Sequence, residues 1–104
     1  MKEVSVSKFD ITSSQYELFR FNVERPMTLN IQLIATAPVN LLVLDNEQRA
    51  EYENGKSATH TYKAAWGRRS DLDEAIKVSP GTWYVVVEGS TEPSRGHIIL
   101  GPDS

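Results

Sequence analysis

Phe19-Arg20-Phe21-Asn22-Val23-Glu24-Arg25-Pro26-Met27-Thr28-Leu29-Asn30-Ile31-Gln32-Leu33 alternates apolar and polar residues on both sides of a proline-containing break. In a pleated strand successive side chains point to opposite faces, so each run reads as a half-buried strand with one face toward a core. Pro26 lacks a backbone donor and marks a turn. The two runs are therefore expected to form a hairpin.

Working outward, the same period recurs. Val4, Val6, Phe9 and Ile11 suggest a first strand. Val39–Leu44 is apolar nearly throughout, as a strand covered on both faces would be. Thr59–Trp66 puts His60, Tyr62, Ala64 and Trp66 on one face. Leu72–Val78 does the same for Leu72, Ile76 and Val78, with Glu74 breaking the pattern. Trp83–Val87 is rich in β-branched and aromatic residues, and Trp83 shares parity with Val85 and Val87, which assigns it to the core. His97–Leu100 is the last strand, and the tail from Gly101 to Ser104 is expected to fray. Ser79-Pro80-Gly81-Thr82 is a turn signal. One stretch reads as helix: Asp45 or Asn46 can cap, Glu47–Glu53 are good helix formers, and Asn54-Gly55 can stop it. It is expected as one or two turns near 46–54, laid across the end of the sandwich.

The expected fold is thus all-β: an antiparallel β-sandwich or jelly roll of about eight strands with one short helical turn. The 104 residues fit a single domain spanning 1–104.

Composition limits function. A net charge of −3 and a pI of about 5.3 argue against general nucleic-acid binding and against docking on an anionic membrane. The apolar runs are too short to span a bilayer. With no cysteine, disulfides, thiolate metal sites and cysteine nucleophiles are excluded. The missing disulfides and the absence of a signal-peptide core at Met1–Ser5 point to the cytoplasm.

No catalytic motif is present. Gly-x-Ser-x-Gly, His-Glu-x-x-His, the phosphate loop and the dinucleotide fingerprint are all missing. His60 and His97 read as strand residues, and an enzyme would need His60 beside Asp71 or Glu74. Asp71, Asp73 and Glu74 form one acidic group, and Asp45, Asn46 and Glu47 another. A calcium site would require the two to meet. The spacing matches no EF-hand loop, so solvated carboxylates are expected, with no metal and no cofactor. The surface singled out for binding is Tyr62, Trp66, Arg68 and Arg69, since aromatics and arginine forks anchor binding surfaces and clamp anions.

Val39–Asp45, then Tyr52-Glu53-Asn54-Gly55, then Tyr62–Gly67, then Pro80–Val87 resemble a bacterial family known only as domain of unknown function 1883. That resemblance implies a compact β-sandwich and no activity. It departs near Ala64-Ala65, where the family is richer in glycine and tyrosine. The early pair Phe19–Leu33, the apolar strand ending at Asp45, and Gly81–Val85 also resemble the pre-peptidase C-terminal domains of secreted bacterial proteases. This second resemblance implies a jelly-roll accessory module that binds polymers or calcium.

Three functions follow as expectations. The first is a non-catalytic binding or interaction module for an unknown protein or small ligand. The second is an accessory carbohydrate- or polymer-binding module with a calcium site. The third is a small enzyme. Edge strands carry unpaired backbone groups, so a homodimer through the first or last strand also stands as an expectation.

Overall fold

The computed structural model describes residues 5–12, 15–53 and 64–102. The chain forms β1 (Ser5–Ile11), β2 (Tyr16–Val23), β3 (Met27–Asp45), α1 (Asn46–Glu53), β4 (Ala64–Val78), β5 (Gly81–Gly89) and β6 (Ser94–Pro102). All strand pairs are antiparallel.

The fold is all-β, a curled sheet whose two halves share β3 and β4. Along Leu29–Ala35, β3 pairs with β6, and β6 pairs with β1. Along Val39–Asp45, β3 pairs instead with β5, and β5 pairs with β2. On its other side, β3 pairs with β4 in both halves. The inner faces meet in one core. Phe9, Ile31, Leu33, Ile98 and Leu100 come from the first half-sheet, and Val39, Leu41, Trp83, Val85 and Val87 from the second.

Among the described residues six strands replace the expected eight. Met27–Leu33 and Val39–Leu44 are one bent strand of 19 residues, and the segments around Trp66 and Leu72–Val78 are one strand of 15. The sequence shows breaks there because both strands bend from one half to the other. At the bend of β3, ladder bonding is interrupted, and side chains satisfy the backbone instead. Buried Ser94 donates its hydroxyl to the Ala37 carbonyl at 2.7 Å and accepts from the Ala37 N–H at 3.2 Å. The Thr36 hydroxyl accepts from the Arg95 N–H. Pro38, with no N–H to satisfy, stands where β3 has left β6 and not yet joined β5.

The expected hairpin across Pro26 does not form. Phe21 pairs with Trp83, and Leu29 with Ile76. Glu24–Pro26 instead carries the chain from the outer edge of one half into the other. Among the described strands, only β3 and β4 pair with their neighbour in sequence. The Pro80-Gly81 turn also crosses between halves. Gly81 takes φ +141°, a conformation open to glycine, and the Trp83 indole N–H donates to the Ser79 carbonyl at 2.8 Å.

Two other readings need adjustment. Gly101 and Pro102 are not frayed: they pair with Asn30 and Leu29. The helix does not lie across the end of the sandwich. It covers the outer face of the second half-sheet, where Tyr52 packs on the buried cluster of Leu42, Leu44 and Val86. Asp45 and Gln48 form a reciprocal cap. The Gln48 N–H donates to Asp45 Oδ1 at 2.8 Å, and the Asp45 N–H donates to Gln48 Oε1 at 3.0 Å. The proposed stop at Asn54-Gly55 lies outside the described residues.

Candidate functional site

Of the four residues singled out for binding, Tyr62 lies outside the described residues, as does His60. The other three sit where β4 crosses between halves. Trp66 is half-buried, pairs with Leu41 and packs on the core. Arg69 is half-buried opposite Val39 and lines a shallow cleft with Asp71 and Asp73. Arg68 is exposed between them. The register shifts there, from Leu41 opposite Trp66 to Val39 opposite Arg69, so β4 carries one extra residue as a bulge.

Arg68 sits in that bulge with φ +53°, in the left-handed region that costs a residue with a Cβ roughly 1–2 kcal/mol. Asn40 supports the turn, its Oδ1 accepting from the Arg68 N–H at 3.0 Å. Asn40 was not singled out from sequence, because its role depends on lying beside a bulge in a distant strand.

A second polar group missed from sequence occupies the outer face under α1. Glu88 accepts from the Tyr52 hydroxyl and from Asn40 Nδ2 at 3.5 Å. The Tyr16 and Tyr52 rings meet edge to face at 5.2 Å. Arg49 lies over the Tyr84 ring at 5.0 Å and pairs with Glu53 at 2.6 Å. The Glu53 hydrogen bond, aided by Tyr84, holds the Arg49 guanidinium above its ordinary pKa against a smaller opposing effect of desolvation. The Tyr84 hydroxyl donates to Asn46 Oδ1 at 3.2 Å. These contacts fasten the helix to the sheet. The sequence signal was the shared parity of Tyr84, Val86 and Glu88, which puts all three on the outer face of β5.

The acidic residues do not gather. Asp45–Glu47 sit at the junction of β3 and α1, whereas Asp71–Glu74 lie on β4 against the opposite half of β3. Asp71, Asp73 and Glu74 are strand residues, and Asn46 and Glu47 are helical, so neither group is a loop cluster. Asp73 is held by Asn30 Nδ2 at 2.9 Å and Gln32 Nε2 at 3.5 Å. Among the described residues no group of three or more His, Asp or Glu could hold a metal ion. His97 pairs with Ile34, and Ile34 with Asp71, so two strand spacings, roughly 10 Å, separate the backbones of His97 and Asp71. Among the described residues no helix is long and apolar enough to cross a membrane.

No family model matches the sequence, so the resemblance to domain of unknown function 1883 finds no support, and no curated protein matches either. Solved structures do match in fold. One is the crystal structure of the pre-peptidase C-terminal domain of collagenase from Bacillus anthracis. It shares 13% identity with this chain over 93% of this chain and 88% of that one, with a TM-score of 0.59. The chain is therefore a small β-rich domain similar in fold to a pre-peptidase C-terminal domain.

Proposed function

We propose that this chain is a non-catalytic interaction module whose contact surface is the β4 edge around the Gly67-Arg68 bulge. The observation that carries the reading is Arg68 in a left-handed conformation. Glycine or asparagine would hold that conformation at lower cost. An exposed arginine kept there is explained by a use for its guanidinium, and strained backbone clusters where function is built. Trp66 and Arg69 flank it, giving the aromatic and arginine anchors common at protein interfaces.

The reading without catalysis is supported by the missing catalytic motifs in the sequence. His60, which an enzyme would need beside Asp71 or Glu74, lies outside the described residues. The fold likeness supports an accessory role but does not carry a ligand across.

The test is a variant that separates strain from use. Arg68→Gly should raise stability by up to about 1 kcal/mol in thermal unfolding. The same variant should lose the proteins that the tagged domain retains from an extract of its own cells. A variant that is both stabilised and fully binding would refute the placement. Retention that fell on adding a chelator would favour the calcium-dependent accessory module instead.

A further inference from the structure

We propose that the contact surface is set from the helix: Tyr52 of α1, acting through Glu88 and Asn40, holds Arg68 in its left-handed turn, so that lifting α1 relaxes the surface. This rests on the reading of the Arg68 bulge as the contact surface.

Tyr16, Glu88 and Asn40 lie directly opposite one another on β2, β5 and β3, one row across the outer face of the second half-sheet. On β4 that row ends at the bulge. Leu41 faces Trp66 and Val39 faces Arg69, so Gly67 and Arg68 together stand opposite Asn40. Tyr52 of α1 touches the row twice: its ring meets Tyr16 edge to face, and its hydroxyl donates to Glu88 Oε2. Glu88 Oε1 accepts from Asn40 Nδ2 at 3.5 Å, and Asn40 Oδ1 accepts from the Arg68 N–H at 3.0 Å.

The chemistry of each link fixes the next. Arg68 offers a donor and Glu88 an acceptor, so the residue between them must present an oxygen to one and an N–H to the other. A side-chain amide does both. Turned over, Asn40 would set its NH2 against an N–H and its oxygen against a carboxylate. Glu88 is half-buried, and its hydrogen-bond partners among the described residues are two neutral donors, Tyr52 and Asn40. Bonds to an ionised acceptor are stronger than neutral ones. With Tyr52 on one oxygen, the other is aimed at Asn40. Without that hydroxyl the carboxylate turns to water and releases Asn40.

Both ends of this chain of bonds have an alternative state. A residue with a Cβ keeps a left-handed backbone only while its surroundings hold it there. The helix has eight residues, none of them buried, and a helix so short is stable only through its contacts with the sheet. Two such elements joined by one set of bonds can bias each other.

Nuclear magnetic resonance of the full chain tests this at position 68. A left-handed residue gives a strong Overhauser effect between its own amide proton and its Hα, and the wild type should show it. Tyr52→Phe keeps the ring and removes the hydroxyl. It should weaken that effect and speed exchange of the Arg68 amide by about fivefold, the worth of one hydrogen bond. The amides of Ile31 and Ile98, in the other half, should exchange as before, which a general loss of stability would not allow. Asn40→Asp should also loosen the turn, because it sets two carboxylates directly opposite each other. Asn40→Asp combined with Glu88→Gln should restore it, since the new amide donates to position 40 and accepts from Tyr52. Position 40 offers Arg68 an acceptor in every one of these chains, so a purely local role for Asn40 predicts no loosening at all. A turn indifferent to Tyr52→Phe, or a double variant as loose as Asn40→Asp alone, overturns the relay. The contact surface itself is judged separately, by whether extract binding depends on Arg68. A turn that loosens in Tyr52→Phe while extract binding ignores Arg68 keeps the relay and removes the surface.

Discussion

The outer faces of the two half-sheets differ, and β3 runs through both. In the first half, the outward residues of β3 are Asn30, Gln32 and Ile34, and no described element covers them. Val6 and Ile34 stand 57% and 59% exposed there. In the second half, the outward residues are Asn40, Leu42 and Leu44; the two leucines are buried beside Val86 under Tyr52 of α1, and Asn40 bonds Glu88. The inner face of β3 is apolar throughout. One strand therefore changes from strict alternation to a continuous apolar run at the point where a second layer begins to cover it. Where the helix covers the outer face, β3 turns leucines toward it.

That contrast can be broken at its seam, at its covered face, at its cap and at its bare face. The largest effect is expected at the seam. A Cβ on Gly96 would sit 1.9 Å from the Ile34 carbonyl oxygen and 2.8 Å from the Ala35 Cα, where β3 bends away from β6. Gly96→Ala should cost at least about 3 kcal/mol in chemical denaturation, because backbone must move. A loss under about 1 kcal/mol would show a looser seam. Next, Leu44→Ala should cost about 2–5 kcal/mol, the range for emptying a buried aliphatic site. A surface-like loss would mean that α1 does not seal this face.

The cap comes third. Asp45→Ala removes an acceptor for the Gln48 N–H and should cost about 1 kcal/mol, read as a lower melting temperature. Asp45→Asn, which keeps an acceptor, should recover most of that. The smallest effect belongs to the bare face. Ile34→Thr should change stability by no more than about 0.5 kcal/mol. A large loss there would reveal a covering partner and erase the contrast between the halves.

The sequence made strands and core legible wherever local period and burial agree. Phe9 and Ile11, Leu29 to Leu33, and Trp83 to Val87 all turned inward on parity alone, and Val39–Leu44 carried the mark of two-sided cover. The cap was narrowed to Asp45 or Asn46, and Asp45 fills it. Pairing was not legible. A hairpin across Pro26 is the default for adjacent strands, yet β2 pairs with β5, because partner choice depends on closing a core from distant segments. Strand count failed for a related reason: a bend at Thr36–Pro38 and a bulge at Arg68 look like strand ends to a local reading. In the candidate site, Arg68 was visible as a charged residue after Gly67, but its left-handed backbone and its partner Asn40, 28 residues away, were not.

The central claim is that β3 is one strand serving both half-sheets, and cross-strand nuclear Overhauser effects test it most directly. The account predicts backbone contacts of Ile31 with both Glu74 and Leu100, and of Leu41 with both Trp66 and Val87. A contact between Phe21 and Leu29 across a hairpin, with those four absent, would contradict it.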